Sequence, residues 1–124
     1  MQYILQYLLS FLLILLTATF TCADVPPEQQ PEVRHLIRFV QSSPCVIRRN
    51  GKTHSGTEAA SHIREKYDYF RSKIKSTEDF IKYSATKSTM SGKYYTVLCE
   101  GRKPMRTKDW LLKELKIYRE QLRK

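Results

Sequence analysis

The charged residues of this chain are divided sharply along its length, and this division limits which part can form a folded core. The first 23 residues contain no Lys, Arg, Asp or Glu, whereas all 22 basic and 12 acidic residues follow them. Residues 4–16 form an apolar run interrupted only by Gln6, Tyr7 and Ser10, and a polar stretch of small residues then ends at Ala23. This order is typical of a secretory signal peptide over residues 1–23, so we expect export and cleavage after Ala23.

Two other interpretations of residues 1–23 stay open at this point. A membrane-spanning helix needs about 20 apolar residues, and residues 3–20 approach that length although they include Gln6, Ser10, Thr17 and Thr19. The only positive charge near the start is the amino group of Met1, which is atypical of a signal, so a retained anchor is the main alternative. A lipid anchor on Cys22 is less favoured, because Thr21 stands where lipoprotein signals have Gly or Ala.

Cleavage would leave two cysteines, Cys45 and Cys99, in a segment of about one hundred residues. That length is enough for one small domain and not for two. In an oxidising compartment, two thiols on separate predicted strands favour one disulfide, with a free reactive thiol as the alternative. Closing this loop should stabilise the domain by roughly 4 kcal/mol on the chain-entropy model. The lack of a CxxC pair argues against a thioredoxin-type redox role.

Turn signals and periodicity divide the remaining chain into a lead-in and a single α+β domain. Residues 24–31 contain three prolines, which is typical of a flexible lead-in. Residues 32–124 are expected to form about four helices packed on a small antiparallel sheet, which consists of a hairpin plus one strand. The first helix is predicted from an apolar stripe that ends before Pro44: Val33, Leu36, Ile37 and Val40.

The hairpin is predicted over residues 45–54, because Asn50-Gly51 is typical of a type I′ turn between two strands. Ser55 with Glu58 is a capping box, in which each side chain pairs with a free backbone N–H at a helix start. A helix of about five turns should follow, with an apolar stripe of Ala59, Ile63, Tyr67, Phe70 and Ile74. Its other face carries the basic residues Arg64, Lys66, Arg71 and Lys73.

The C-terminal half contains further signals of the same kinds. Ser76 with Asp79 is a second capping box, and residues 88–93 are predicted to be a loop. Residues 94–99 are predicted to be a strand, in which Tyr95, Val97 and Cys99 alternate onto one face. Pairing that face with the one that carries Cys45 and Ile47 would bring the two sulfurs within bonding reach. Thr107 is predicted to cap a last helix with a stripe of Leu111, Leu115, Tyr118 and Leu122, widened by Trp110 and Leu112.

Several short motifs stand out between residues 33 and 124. They are Arg49-Asn50-Gly51 with His54-Ser55, Glu58-Ala59-Ala60 with His62 and Lys66, Ser91-Gly92-Lys93 before Tyr94, and Trp110-Leu111. On these motifs the segment resembles a family of small exported bacterial proteins of unknown function, often called YfeK-like. The resemblance implies a bacterial, periplasmic protein. It implies no catalytic residues, because none is established for that family.

Catalytic and metal-binding interpretations have weak support in the sequence. His54, Glu58 and His62 are spaced four residues apart, which on one continuous helix would suit Zn²⁺. The predicted helix begins at Ser55, however, which leaves His54 in the turn and commits Glu58 to capping. Ser55 also has a capping role, so a nucleophile beside His54 is not favoured. We therefore expect no metal site, no cofactor and no assigned catalytic residue.

The basic residues support a clearer hypothesis. Residues 61–124 hold 17 basic and 8 acidic side chains, whereas residues 24–60 hold five and four, so an anionic partner should meet the C-terminal half. The candidate anion-binding residues lie in the hairpin and in predicted loops: Arg48, Arg49, Lys52, Lys93, Arg102 and Lys103. Several of them could gather at one end of the sheet beside Tyr94 or Tyr95, a mixture suited to phosphate, carboxylate or sugar groups. Solubility alone is the competing explanation.

We therefore interpret the chain as an exported, periplasmic or secreted, single-disulfide domain. It would act as a binding or envelope-associated module for an anionic partner such as lipopolysaccharide, anionic lipid, peptidoglycan or an acidic protein. Nucleic acid is not expected, because of the compartment. Two alternatives stay open: a small periplasmic hydrolase that uses His54 and Glu58, and an inhibitor or immunity-type interaction protein.

Overall fold

The structure is a computed structural model that describes residues 1–7 and 23–124. Within residues 23–124 it contains four α-helices, which are α1 (Gln30–Ser42), α2 (Gly56–Phe70), α3 (Thr77–Ser84) and α4 (Thr107–Leu122). The strands are β1 (Val46–Arg49), β2 (Lys52–His54), β3 (Thr96–Leu98) and β4 (Met105–Arg106). The fold is therefore mixed α+β, as the sequence predicts.

Most of the apolar run at residues 4–16 lies outside the described residues, and so do Cys22 and most of the expected signal. Residues 2–7 are helical and exposed. In the part of the chain that the structure describes, no helix is long and apolar enough to span a membrane.

The strands form one antiparallel sheet in the order β2-β1-β3-β4. The hairpin turn has the predicted conformation, because Asn50 (φ 50°) and Gly51 (φ 79°) both have positive φ, as a type I′ turn requires. β1 and β3 pair in a register that brings Cys45 opposite Cys99. These cysteines form a disulfide with their Cα atoms 4.5 Å apart, which confirms the predicted pairing.

The helices cover the face of the sheet that carries Ile47 and Val97, and the apolar stripes meet there. The buried core draws on every helix and includes Leu36, Val40, Ile63, Tyr67, Phe80, Ile81, Leu111 and Leu115. Burial of this apolar surface is the main force that holds the layers together. Both predicted caps are present, since the Ser55 hydroxyl accepts from the Glu58 N–H (3.2 Å) and the Ser76 hydroxyl accepts from the Asp79 N–H (3.0 Å).

An ion pair with a buried carboxylate joins α1 to α4. The Arg119 guanidinium donates two hydrogen bonds to the Glu32 carboxylate, at 2.6 and 3.0 Å, and the Thr77 hydroxyl donates a third at 2.7 Å. Glu32 is buried, and the hydrogen bonds from Arg119 hold the pKa of its carboxyl below the usual range. A charge in this position is tolerated because it is paired and hydrogen-bonded.

The segment expected to be a flexible lead-in makes specific contacts with the domain. Val25 is buried, and the Asp24 carboxylate accepts hydrogen bonds from Arg71 (2.8 Å) and from the Tyr67 hydroxyl. A short 3₁₀ turn at Pro27–Gln29 then leads directly into α1. Residues 24–31 are thus held against α2 by an ion pair and a buried side chain.

Three details differ from the sequence-based prediction. The sheet has a fourth strand, β4, where a loop is expected. The α-helical part of α2 ends at Phe70 and continues as a 3₁₀ turn, so it is shorter than five turns. Thr107 does not cap α4: the helix begins at this residue, its N–H donates to the Tyr95 carbonyl (3.0 Å), and its buried hydroxyl has no partner among the described residues.

A cationic cleft as the candidate binding site

Four of the six basic residues singled out in the sequence lie near the hairpin turn, namely Arg48, Arg49, Lys52 and Lys93. The turn is joined to the 88–93 loop by side-chain hydrogen bonds, since the Asn50 amide donates to the Ser88 hydroxyl (3.2 Å) and accepts from the Ser91 hydroxyl (2.7 Å). These bonds hold Lys93 and its loop beside the hairpin. The hairpin and this loop therefore form one end of the molecule.

Arg102 and Lys103 lie at the opposite end of the sheet. They follow Cys99, and the antiparallel pairing of β1 with β3 places Cys99 next to Cys45, away from the hairpin turn. The structure therefore does not bring all six basic residues into one patch.

The two neighbouring arginines of β1 face opposite sides of the sheet. Arg48 is paired with Thr96, which is also paired with Arg106, so these three residues share the outer face. The Arg106 guanidinium there lies 3.9 Å from the centre of the Tyr94 ring, a cation–π contact. Arg49 alternates with Arg48 onto the side covered by helices. It is half-buried and borders a cleft against α2.

This cleft has a volume of about 420 Å³ and lies between the hairpin end, α2 and the loop that follows α3. The residues that line it are Arg49, Asn50, His62, Glu65, Lys66, Tyr69, Phe70, Ser88, Thr89, Met90 and Tyr95. Two of them are cations, Arg49 and Lys66, and one is a carboxylate, Glu65. Among the described residues, none of these three forms a salt bridge.

Lys66 is the unusual member of the set, because its side chain is only 9% exposed. Its ammonium donates to the Lys87 carbonyl (2.7 Å) and to the Tyr95 hydroxyl (3.3 Å), and it lies 5.1 Å from the centre of the Tyr95 ring. Burial, and then the nearby Arg49 charge, lower the pKa of Lys66. An ammonium has three N–H donors, so one of them has no partner among the described residues.

Tyr95 links Lys66 to His62, whose Nε2 lies 3.2 Å from the Tyr95 oxygen. Burial, then the charges of Arg49 and Lys66, lower the pKa of His62 from 6.5 to about 4. His62 is therefore neutral at pH 7, and its Nε2 can accept from the Tyr95 hydroxyl while that oxygen accepts from Lys66. A neutral His62 adds no charge to the two cations, and Glu65 is the one carboxylate among the residues that line the cleft.

The sequence prediction identifies Arg49 but assigns Lys66 to the exposed face of α2, which is wrong. Lys66 follows Ile63 by three residues and precedes Phe70 by four, so it belongs to the edge of the apolar stripe. That spacing is the signal that could have identified it. A lysine inside an apolar stripe is either paired in the interior or placed at a cleft.

His54, Glu58 and His62 border the same depression, which also includes Arg49 and Glu65, but their side chains contact different partners. The His54 Nδ1 lies 3.1 Å from Glu58 Oε2, so Glu58 contacts the histidine and does not return a cap to Ser55. His62 contacts Tyr95 instead. Among residues 1–7 and 23–124, no group of three His, Cys, Asp or Glu side chains is placed to hold a metal ion. Ser55, next to His54, uses its hydroxyl to accept from the Glu58 N–H at the start of α2.

A larger groove of about 650 Å³ lies at the other end of the sheet, beside the disulfide. It is bordered by Arg38 and Arg102, by Glu100, and by the rings of Phe39 and Trp110, whose centres are 4.7 Å apart. Its charges are mixed, and all three of these charged side chains are exposed. The cleft at Lys66 is the better candidate, because only there is a buried cation turned toward an opening.

Comparisons with known proteins place the chain in a family without assigning an activity. No curated protein and no solved structure matches the chain. A family model described as a family of unknown function (DUF5329) matches residues 27–119. The match does not carry the YfeK-like name, so that more specific resemblance stays an interpretation. Because the matched segment includes α1 to α3, the whole sheet and most of α4, the chain belongs to this family of unknown function.

Proposed function

We propose that the protein is an exported binding domain of the bacterial envelope, and that its cationic cleft receives an anionic group of its partner. The observation that carries this proposal is the buried Lys66 ammonium, which lies beside Arg49 and forms no salt bridge among the described residues. A buried cation is costly unless it is paired. An anion from a ligand would supply the missing partner.

Electrostatics in the cleft favour an anion over a neutral ligand. Arg49 and Lys66 both lower the pKa of His62, which shows that the two positive charges act on the same small volume. Charge-assisted hydrogen bonds from a guanidinium and an ammonium are among the strongest that side chains make. Glu65 also borders the cleft, but it is exposed, so water screens its charge.

Export is supported by two independent features. The uncharged, apolar start of the chain is typical of a signal peptide. The Cys45–Cys99 disulfide suits an oxidising compartment and would be unusual in a reducing one. Outside the cytoplasm the anionic groups on offer include the phosphates of lipopolysaccharide and lipids and the carboxylates of peptidoglycan and proteins.

Anion binding can be tested on protein recovered from the envelope of cells that express the full chain. We expect inorganic phosphate to shift the NMR signals of His62 and Arg49 in low salt, and added sodium chloride to weaken binding. Lys66→Met and Arg49→Gln should each weaken binding at least tenfold, since each removes a charged hydrogen bond worth roughly 1.5–3 kcal/mol.

The matched controls are Arg48→Gln, which removes a neighbouring charge from the opposite face of the same strand, and Arg102→Gln at the far end of the sheet. Both should leave phosphate affinity within about twofold of the parent, apart from the loss of long-range attraction. Equal losses in all four variants would indicate a diffuse charge effect in place of a site. No binding at low salt would reject the proposed function.

A further inference from the structure

The opening of the cleft differs in character from its floor. The floor carries the cations Arg49 and Lys66, whereas the rim carries Tyr69, Phe70 and Met90. Tyr69 is 79% exposed and Met90 is 98% exposed, although both are large apolar side chains. Phe70 is half-buried, with its ring centre 5.9 Å from the Lys66 ammonium and 4.7 Å from the centre of the Tyr69 ring. Apolar surface therefore adjoins the charged groups directly.

We propose that the ligand of this cleft is an amphipathic phosphate monoester, with its phosphate on Arg49 and Lys66 and its alkyl or aryl part on Tyr69, Phe70 and Met90. This inference rests on the proposed function, because it specifies the anion that the cleft receives. The same chemistry occurs in a lipid headgroup and in a small soluble ester. Binding experiments with soluble esters and with lipid vesicles distinguish these two sources.

The charge and donor count of the floor favour a phosphate monoester over a carboxylate. A monoester carries a charge of about −1.5 to −2 at pH 7 and has three terminal oxygens, which matches two cations that lack a salt bridge. The guanidinium of Arg49 can bind two of those oxygens in parallel. The remaining N–H of Lys66 can then donate to the third. A carboxylate would neutralise only one of the two cations.

The rim accounts for the apolar part of the ligand. Methionine and tyrosine side chains suit this role, because methionine adapts its shape to irregular apolar groups and an aromatic ring offers a flat surface at low entropic cost. Each methylene group that becomes buried should tighten binding roughly fourfold. A ligand with only a phosphate would leave Tyr69 and Met90 exposed, as they are in the free protein.

The test is a calorimetric series on the protein recovered from the envelope, with inorganic phosphate, butyl phosphate and hexyl phosphate. We expect affinity to rise along the series and hexyl phosphate to bind at least tenfold more tightly than inorganic phosphate. Hexanol and heptanoate carry the same hexyl chain without the phosphate and should bind more weakly than hexyl phosphate. A hexyl phosphate affinity equal to that of inorganic phosphate would overturn the inference and leave the proposed function standing.

Variants separate the rim from the floor. The double change Tyr69→Ser and Met90→Ser should remove the gain from chain length, so that hexyl phosphate binds that variant no more tightly than inorganic phosphate does. Leu122→Ser is the matched control, since Leu122 is 69% exposed on α4 and does not border the cleft. Lys66→Met should weaken every phosphate in the series. If the gain from chain length persists in the double variant, the apolar part lies elsewhere and the inference is wrong.

The source of the ester is distinguished with vesicles. Phosphatidic acid has a phosphate monoester headgroup, whereas phosphatidylglycerol has a diester of lower charge. Preferential binding to phosphatidic acid vesicles, lost in Lys66→Met, would assign a membrane lipid. Binding of the soluble hexyl ester without binding to either vesicle would assign a soluble ester. If no phosphate compound binds at all, the proposed function falls together with this inference.

Discussion

At the scale of single residues, His62 is a group whose protonation the fold opposes. Its ring contacts the Tyr95 hydroxyl, and its neighbours include two cations, Arg49 and Lys66. The pKa of His62 falls from 6.5 to about 4 for these reasons, with burial as the largest cause. The unfolded chain therefore binds a proton at this position before the folded protein does.

We predict that stability falls as pH decreases from 6.5 toward 4, because only the unfolded state then gains a proton at His62. The maximum slope for one group is about 1.4 kcal/mol per pH unit, and partial exposure should limit the total loss to roughly 1–3 kcal/mol. Below about pH 4 both states are protonated, so this contribution ends. The measurement is urea denaturation at pH 7, 6 and 5.

His62→Gln should have a smaller loss of stability between pH 6.5 and 5 than the parent protein. Asp24, Glu32 and Glu78 have lowered pKa values, so their contributions are lost only at lower pH. The change in stability between pH 6.5 and 5 therefore reports on His62 and not on these three carboxylates. An NMR titration midpoint of His62 near 6.5, or identical slopes in the two proteins, would contradict a half-buried, neutral His62 beside the two cations.

The residue scale also shows what the sequence could and could not predict of the site. The position of Arg49 at one end of the sheet is predictable, because the hairpin has a strong turn signal. The position of Tyr95 is predictable from strand alternation. The burial of Lys66 is not predictable, because a helical lysine is usually exposed and because this burial depends on the Lys87 carbonyl, which reaches Lys66 from a loop 21 residues away.

At the scale of elements, the sequence prediction overlooks how closely the end of α1 approaches the start of α2. Gly56 is the first residue of α2, and a side chain there would meet the carbonyl oxygens of Val40 and Ser43 at the end of α1. A built Cβ lies 2.9 Å from the Ser43 oxygen and closer still to that of Val40. Glycine is needed at this position for lack of space, since its φ is not positive.

We predict that Gly56→Ala destabilises the protein by about 1–3 kcal/mol, because backbone atoms cannot move aside as a flexible side chain would. In an open helix position the same change would be stabilising. Thr57→Ala, at the exposed neighbouring position, is the control and should change stability by less than about 0.5 kcal/mol. Urea denaturation midpoints provide the comparison. A neutral or stabilising effect of Gly56→Ala would mean that the helix ends are further apart.

The elements that were predicted correctly are those with a local cause. A stripe followed by Pro44 predicts α1, Asn50-Gly51 predicts the hairpin, and side-chain caps predict the starts of α2 and α3. β4 has only two residues, too few for any alternation to show, and it exists because β3 offers a free edge. The cap predicted at Thr107 is wrong for a similar reason, because a contact with a distant part of the chain decides the local structure. The Thr107 N–H donates to the Tyr95 carbonyl of the neighbouring segment.

At the scale of the whole molecule, the distribution of charge and the disulfide act on different parts of the chain. The disulfide joins the two central strands across 54 residues of sequence and should contribute about 4 kcal/mol. It lies at the end of the sheet opposite the cationic cleft. This arrangement separates the part that stabilises the domain from the part that we propose to bind.

The described domain also bears on where a mature chain would begin. Ala23 precedes Asp24, whose carboxylate is held by Arg71 and Tyr67, and Val25 is buried directly after it. A chain that began at Asp24 would retain all these contacts, whereas one that began a few residues later would lose them. Cleavage after Ala23 would therefore leave these contacts intact.

We predict that protein recovered from the cell envelope begins at Asp24, because the small residue Ala23 ends the uncharged segment and a chain cut there keeps the contacts of Asp24 and Val25. The intact mass, measured under non-reducing conditions, should equal that of residues 24–124 less two hydrogens for the Cys45–Cys99 disulfide. Ala23→Leu is a useful variant, since a bulky residue at this position should slow cleavage and cause the uncleaved chain to accumulate. Recovery of the parent protein as the full-length chain in the membrane fraction would contradict cleavage and favour a retained anchor.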